Sequence, residues 1–207
     1  MRPLVSVLTP TWQRHDLLHQ AIDNVRAQTY RPLEHVIVAD GPDHDLGQTI
    51  RSIGVASAGS DVQIRFTELG RNWSSILPES FCAAPLVTAQ LLARGEYQTY
   101  LADDERMEPD HIESLVDLLE ASGADFVYSE VSMWFAGRPE HTWTIGSDPP
   151  MCGQITNVLY RSDLLKKGLY PFGAGMTSDW SCISQWMSRG ARFAFLPRVT
   201  MTHRADH

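Results

Sequence analysis

Three consecutive carboxylates, Asp103, Asp104 and Glu105, are the side chains with the clearest capacity for chemistry. Three such groups in a row repel one another, so a fold that brings them together needs a compensating cation. Carboxylate oxygens, completed by diphosphate oxygens and water, are the ligands that Mg²⁺ or Mn²⁺ requires. The alternative is a solvated acidic turn before a helix, where the helix dipole favours Asp and Glu. The cluster alone does not decide between these two interpretations.

The elements around this cluster predict a sheet that places it at the end of a strand. Buried strands are predicted at residues 4–8, 36–39, 62–67 and 97–102. They alternate with helical patterns over residues 16–25, 85–94 and 109–119. This alternation predicts an α/β fold with a mostly parallel central sheet and helices on both faces. Such sheets bind ligands at the carboxyl ends of their strands, where Asp40 and Asp103-Asp104 both fall.

The second half of the chain has a less regular pattern. Strands are predicted at residues 126–135, 155–160 and 192–196, and a helix opens at Ser178 and closes before Gly190. Residues 137–153 hold several Gly and Pro and are predicted to form a long, functional loop. Residues 199–207 are predicted to form a polar tail. The length of the chain indicates a single domain over residues 1–207.

Composition limits the class of protein. Hydrophobic residues make up 43% of the chain and charged residues 20%, a typical globular balance. The net charge of −8 would repel phosphate backbones, so general nucleic-acid binding is not expected. The cysteines Cys82, Cys152 and Cys182 form no CxxC pattern and indicate a reducing compartment. No apolar stretch approaches the ~20 residues that span a bilayer. We therefore predict a cytoplasmic protein without a transmembrane segment.

Four segments of the sequence resemble the family 2 glycosyltransferases with the GT-A fold, in order and spacing as well as in residues. They are VSVLTPTWQR (5–14), HVIVADGPD (35–43), GRN (70–72) and ARGEYQTYLADDERMEPDHIE (93–113). The resemblance implies a single GT-A domain in which residues 1–105 bind the nucleotide sugar and residues 106–207 form a less regular acceptor-binding half. It implies a nucleoside diphosphate sugar of the UDP, TDP or GDP type as donor, and an acceptor hydroxyl whose identity the sequence does not give.

The resemblance also implies roles for residues at matching positions. It assigns nucleotide binding to Thr9, Pro10, Thr11, Asp40, Arg71 and Asp103. It assigns Mn²⁺ or Mg²⁺ to Asp104 as the more direct ligand, with Asp103 and the C-terminal His203 as further candidates. Trp134 and Trp180 are weaker candidates for the acceptor site, because aromatic faces pack on sugar rings. Core packing is the alternative for Trp134.

Asp179 matches the residue that takes the acceptor proton in the family. The family's acidic pair is here Ser178-Asp179, so the first acid is replaced. Capping of a helix is the alternative role for both residues. The QxxRW motif of processive synthases is missing, since Gln185 is followed by Trp-Met-Ser-Arg. The resemblance thus implies non-processive transfer with inversion at the anomeric carbon.

Two other functions remain open from the sequence. A catalytically silent module that binds sugar nucleotides is compatible with Ser178 in place of an acid. A nucleotidyltransferase would use a similar fold and acidic cluster, but it would typically carry a Gly-rich phosphate loop after its first strand. The segment from Thr9 to Arg14 has no glycine, which counts against it. Donor turnover separates the enzyme from the binding module.

Overall fold

The computed structural model describes residues 2–56, 61–78, 82–135, 137–168 and 178–205. Its first half alternates strands and helices along the chain. The strands are β1 (Val5–Thr11), β2 (Leu33–Ala39), β3 (Val62–Glu68) and β4 (Tyr97–Tyr100). The helices are α1 (His15–Arg26), α2 (His44–Ala56) and α3 (Ala83–Leu92). The four strands pair in parallel in the order β3-β2-β1-β4, so their carboxyl ends share one edge.

The second half continues the same sheet. It contains β5 (Arg106–Met107), α4 (His111–Ser122), β6 (Phe126–Phe135), β7 (Arg138–Ile145), β8 (Leu159–Arg161), a 3₁₀ helix (Ser162–Lys167), α5 (Ser178–Ser188) and β9 (Phe193–Arg204). The sheet order is β3-β2-β1-β4-β8-β6-β9-β5, and β7 pairs with β6. β6 and β9 are parallel, whereas β8, β7 and β5 pair antiparallel with their neighbours. The predicted parallel sheet therefore describes the first half, and the whole sheet is mixed.

Helices cover both faces of this sheet, as the sequence predicted. Val5 and Val7 of β1 pack in one apolar cluster with residues of α1 and α4. Leu8 of the same strand points to the opposite face, in a second cluster with α3 and α5. The alternation follows from the two-residue period of a strand. Both faces are thus covered, and the residues of β1 and β2 are almost continuously buried, including several polar ones.

The largest differences from the sequence prediction concern three elements. Helix α2 occupies a stretch for which no helix was predicted; Leu46 and Ile50, one turn apart, pack into a cluster with β2. Strand β7 lies within the predicted loop 137–153. Strand β9 extends to Arg204, through most of the predicted polar tail, because it pairs with β6 along its length. In the described part of the chain, no helix is long and apolar enough to cross a bilayer.

Candidate functional site

The acidic cluster lies in the turn that follows β4, at the carboxyl edge of the parallel strands. Asp103 accepts a hydrogen bond from the hydroxyl of Thr11, with 2.8 Å between Oγ1 and Oδ2. Arg14 donates from one nitrogen, Nη1, to Oδ1 of Asp103 at 3.1 Å and to Oδ2 of Asp104 at 3.0 Å. The loop after β1 and the turn after β4 are thereby joined, as the parallel pairing of these two strands allows.

Burial and the neighbouring charges shift the pKa values of Asp103 and Arg14 in opposite directions. The side chains of Asp103 and Asp104 are 5% and 4% exposed, whereas that of Arg14 is 43% exposed. Burial raises the pKa of the Asp103 carboxyl above its ordinary value, although the bonds from Thr11 and Arg14 act to lower it. Burial acts to lower the pKa of Arg14, but Asp103 and Asp104 outweigh burial, and this pKa is raised. Arg14, which was not among the predicted site residues, supplies the positive charge that the carboxylates require.

Glu105 and His203 form a second pair beside the acidic turn. Strands β5 and β9 are antiparallel with Arg106 opposite Thr202, which brings His203 next to Glu105. Nδ1 of His203 is hydrogen-bonded to Oε1 of Glu105, and both side chains are largely buried. Oε2 of Glu105 accepts the backbone N–H of Ala102 at 2.8 Å. A carboxylate on one ring nitrogen is the usual way to orient an imidazole whose other nitrogen binds a metal.

Asp40 lies directly after β2 and holds the loop that follows β3. Its Oδ1 accepts the backbone N–H of Trp73 at 2.9 Å. Its Oδ2 accepts the N–H of Ser74 at 2.9 Å and the hydroxyl of Ser74 at 2.5 Å. A carboxylate offers about four acceptor positions, so three bonds to these described residues leave about one for a ligand.

Gly41 allows three loops to meet at this point. Its φ is 136°, a left-handed value that side chains other than glycine rarely adopt. An added Cβ would lie 2.6 Å from Cζ3 of Trp12 and 3.0 Å from the backbone nitrogen of Asn72. Both the backbone angle and the available space therefore require glycine. The loops after β1, β2 and β3 are packed together next to the acidic turn.

Thr9 lies beneath the site instead of within it. The side chain is fully buried, and its hydroxyl donates to the backbone oxygen of Leu101 at 2.8 Å. Because this bond uses the only hydroxyl proton, Nε2 of His35, at 2.8 Å, must be the donor to Thr9. Burial lowers the pKa of His35 to about 3, so the ring is neutral near pH 7. A contact between the Thr9 side chain and a nucleotide would require these bonds to break, so the predicted role can concern only its backbone in this arrangement.

Acidification is expected to destabilise the fold through His35. Its pKa is about 3 in the folded protein and near 6.5 when exposed, so the unfolded chain binds one more proton between these values. The stability contributed by neutral His35 is complete above about pH 6.5, and it falls by about 1.4 kcal/mol per pH unit between about pH 6 and 4. The free energy of unfolding is measured by urea denaturation at several pH values from 7 to 4. Its change per pH unit should be smaller by this amount in His35→Gln than in the unaltered protein. Equal slopes in both proteins would contradict the assignment.

An open cleft of about 940 Å³ lies between the loops after β1 and β2 and is lined by residues 13–17 and 42–45. His15 and Asp43 are hydrogen-bonded across it, with 2.8 Å between Nε2 and Oδ2. Asp43 also accepts the backbone N–H of Leu46 at 3.1 Å, near the start of α2. The volume falls in the ~300–1,000 Å³ range typical of small-molecule sites. Arg14 lines this cleft and also contacts the acidic pair, so it connects the two.

Two other predicted nucleotide-binding residues lie along the same sheet edge. The guanidinium carbon of Arg71 is 5.8 Å from the ring centroid of Trp73, in the loop that Asp40 holds. Pro10 pairs with Val38 near the ends of β1 and β2. Apart from the buried Thr9, the fold thus places the predicted nucleotide-binding positions of the first half at or near the carboxyl ends of neighbouring strands.

The predicted acceptor and base residues come from the second half. Trp134 is half-buried near the end of β6, opposite Arg204 of β9. Trp180 is partly buried in α5 and packs against the second apolar cluster, which is a structural role. Helix α5 begins at Ser178, so Asp179 belongs to its first turn. The side chains of Ser178 and Asp179 lie outside the described residues, and the predicted role of Asp179 stays a prediction.

Comparison with known sequences gives the family of the chain. The sequence pattern described as Glycosyl transferase family 2 matches residues 6–176. The chain is 26% identical to the glucosyl-dolichyl phosphate glucuronosyltransferase of Haloferax volcanii over 230 aligned residues, which cover 99% of this chain and 69% of that protein.

Comparison with solved structures gives the fold. The mannosyltransferase PcManGT from Pyrobaculum calidifontis, in complex with GDP-Man and Mn²⁺, matches with a TM-score of 0.71 at 21% identity. S. aureus TarS in complex with UDP-GlcNAc matches with a TM-score of 0.74 at 14% identity. Each match covers 98% of this chain, and the chain spans 57% and 59% of these two solved chains. At these identities the likeness concerns the fold alone.

Proposed function

Since the chain belongs to glycosyl transferase family 2 and has the GT-A fold, we propose that it is an inverting, non-processive, metal-dependent sugar transferase. The donor is a nucleoside diphosphate sugar of the UDP, TDP or GDP type, and the acceptor is a hydroxyl. The observation that carries the proposal is the buried pair Asp103-Asp104, bridged by Arg14 beside a cleft of ligand size. Residues 1–105 hold the donor, and residues 106–207 hold the acceptor.

The side chains available as metal ligands at this site suit a divalent metal. Within the described ranges, no three His, Cys, Asp or Glu side chains form a ready-made metal site. Asp104 and Asp103 nevertheless offer the carboxylate oxygens that Mn²⁺ or Mg²⁺ prefers. Glu105 is hydrogen-bonded to one ring nitrogen of His203 and orients the imidazole, as carboxylates commonly do for histidines that bind a metal. We assign the metal to Asp104 with Asp103 and His203; when bound, it would neutralise negative charge on the departing diphosphate.

The protein's own groups position the reactants and move one proton. Thr11 fixes Asp103 through its hydroxyl, so the carboxylate is held in place before the donor binds. Asp40 keeps the loops after β2 and β3 together and accepts a bond from a base N–H. Asp179 removes the proton of the acceptor hydroxyl while the hydroxyl oxygen attacks the anomeric carbon and the bond from that carbon to the diphosphate oxygen breaks. Such a base is typically worth ~10²–10⁴-fold in rate.

Donor turnover tests the proposal directly. Thermal unfolding with UDP, TDP and GDP sugars, each with and without Mn²⁺, identifies the donor because a ligand that binds only the folded protein raises its stability. The selected sugar nucleotide is then incubated with Mn²⁺, and release of the nucleoside diphosphate is measured. Metal-dependent release supports the transferase. Binding without release would favour the catalytically silent module.

Replacement of Asp40 by alanine is expected to weaken nucleotide binding by the ~1.5–3 kcal/mol of a charged hydrogen bond. The same change leaves the N–H groups of Trp73 and Ser74 without their acceptor, so it also lowers stability. Ser74→Ala is the matched control, because it removes one bond to Asp40 and keeps the carboxylate. Calorimetry with each nucleoside diphosphate compares the three proteins. Equal nucleotide affinity in Asp40→Ala and the unaltered protein would show that Asp40 does not bind the nucleobase.

A further inference from the structure

Arg14 lies where a cation must lie if Asp103 and Asp104 are to remain together. One nitrogen of its guanidinium donates to both carboxylates, at 3.1 and 3.0 Å. These carboxylates are almost fully buried, and without a positive charge their mutual repulsion and desolvation would be costly. The guanidinium is therefore the resident counter-ion of the acidic pair.

A divalent metal and this guanidinium compete for the same oxygen atoms. Oδ2 of Asp104, which is bonded to Arg14, belongs to the carboxylate assigned as the more direct metal ligand. Two cations at hydrogen-bond distance from one carboxylate also repel each other. In the absence of other ligands, a metal must either displace Arg14 from the carboxylates or bind beside its positive charge. Both cost free energy and lower the affinity of the protein for the metal.

The surroundings of Arg14 provide a place for the displaced side chain. It is 43% exposed and lines the 940 Å³ cleft between the loops after β1 and β2. The backbone oxygen of Arg14 accepts the first bond of α1, from the N–H of Leu18 at 2.9 Å, so the residue is anchored by its backbone. The side chain can therefore turn into the cleft without disturbing the helix. A diphosphate bound there would accept the same guanidinium N–H groups.

We propose that Arg14 couples the binding of the metal to the binding of the donor diphosphate. While Arg14 is hydrogen-bonded to Asp103 and Asp104, the metal binds them weakly. When a diphosphate accepts the hydrogen bonds of the guanidinium instead, the two carboxylates can bind the metal. This inference rests on the proposed function, because it requires that both ligands bind here. Coupling between two ligands is reciprocal, so the metal must also raise the affinity for the diphosphate by the same factor.

The test is a calorimetric titration of the intact chain with Mn²⁺ alone and with Mn²⁺ in the presence of saturating UDP or GDP. Arg14→Gln is expected to bind Mn²⁺ alone about 10-fold more tightly than the unaltered protein, and the enhancement by the diphosphate should fall by about 10-fold or more. Arg14→Lys keeps the charge but not the fork of donors, so an intermediate result is expected. Thermal unfolding of each variant verifies that it is folded.

Arg106→Gln is the matched control. Arg106 lies two residues beyond Asp104, is exposed and donates to Gln20 at 2.7 Å, so its replacement removes one positive charge nearby without touching the pair. Its Mn²⁺ affinity should change by no more than about 3-fold, the size of a screened surface charge effect. Equal changes in both variants would overturn the proposal, and so would unchanged, weaker or absent Mn²⁺ binding in Arg14→Gln. Donor release by the unaltered protein is measured separately, so that failure of the coupling is distinguished from failure of the transferase function.

Discussion

Replacing Asp179 by asparagine is expected to lower sugar transfer by ~10²-fold or more while donor and metal affinities stay unchanged. Asp179 lies in the first turn of α5, a position at which the helix dipole favours a negative charge. Asparagine preserves the shape and caps a helix about as well as aspartate, but it cannot take a proton. Single-turnover transfer with a known acceptor, measured beside calorimetric donor affinity, provides the comparison.

Ser178→Ala is the matched control for this experiment. Ser178 opens the same helix, and its loss should cost about 1 kcal/mol of stability if it caps the helix, with transfer retained. Near-normal transfer by Asp179→Asn would show that Asp179 is not the base. The role would then pass to Glu105 or His203, which are hydrogen-bonded to each other beside the acidic turn.

Asp104→Ala is expected to abolish the metal-dependent part of donor binding and to lower transfer by at least ~10²-fold, because a direct ligand contributes several kcal/mol of charge stabilisation. Stability should change little. Asp103 keeps its bonds to Thr11 and Arg14, and the removal of one of two like charges relieves their repulsion. Titration of the variant with UDP or GDP, with and without Mn²⁺, measures the loss.

The control for this change is an acid with the same charge that lies away from the site. The side chain of Asp110 is 45% exposed and pairs with Arg198 at 2.9 Å, so Asp110→Ala removes one partly exposed carboxylate. It should leave the effect of Mn²⁺ on donor binding intact. If Asp104→Ala also retained that effect, Asp104 could not be the ligand, and Asp103 and His203 would have to hold the metal without it.

The parts of the site that follow β-strands could be predicted from the sequence. Asp40 and Asp103 each come directly after or close to a short apolar run, and parallel pairing brings such positions to one edge. Arg14 was missed because an arginine in a loop resembles any surface arginine, and its partners lie 89 and 90 positions away. One signal was available, since Arg14 belongs to the loop after β1, which must lie beside the turn after β4.

The second half of the fold was harder to predict because long-range pairing determines it. Strand β7 carries Pro139 and lies near Gly137 and Gly146, which favour a loop when the sequence is considered locally. It forms because β6 is long enough to pair with it. Helix α2 contains Gly47 and Gly54, which weaken helix propensity, and it depends on its packing against the sheet. Local patterns do not contain this information.

The pairing of β5 with β9 has a consequence for the order in which the protein becomes active during synthesis. His203 follows Glu105 by 98 positions, and at ~5–20 residues per second a ribosome needs roughly 5–20 s to add them. Throughout that interval the nascent chain already contains Asp103, Asp104 and Arg14. We expect the guanidinium to neutralise the acidic turn while the first strands assemble. The imidazole of His203 is added last, so a nascent chain can form the cleft beside Arg14 well before it contains all the predicted metal ligands.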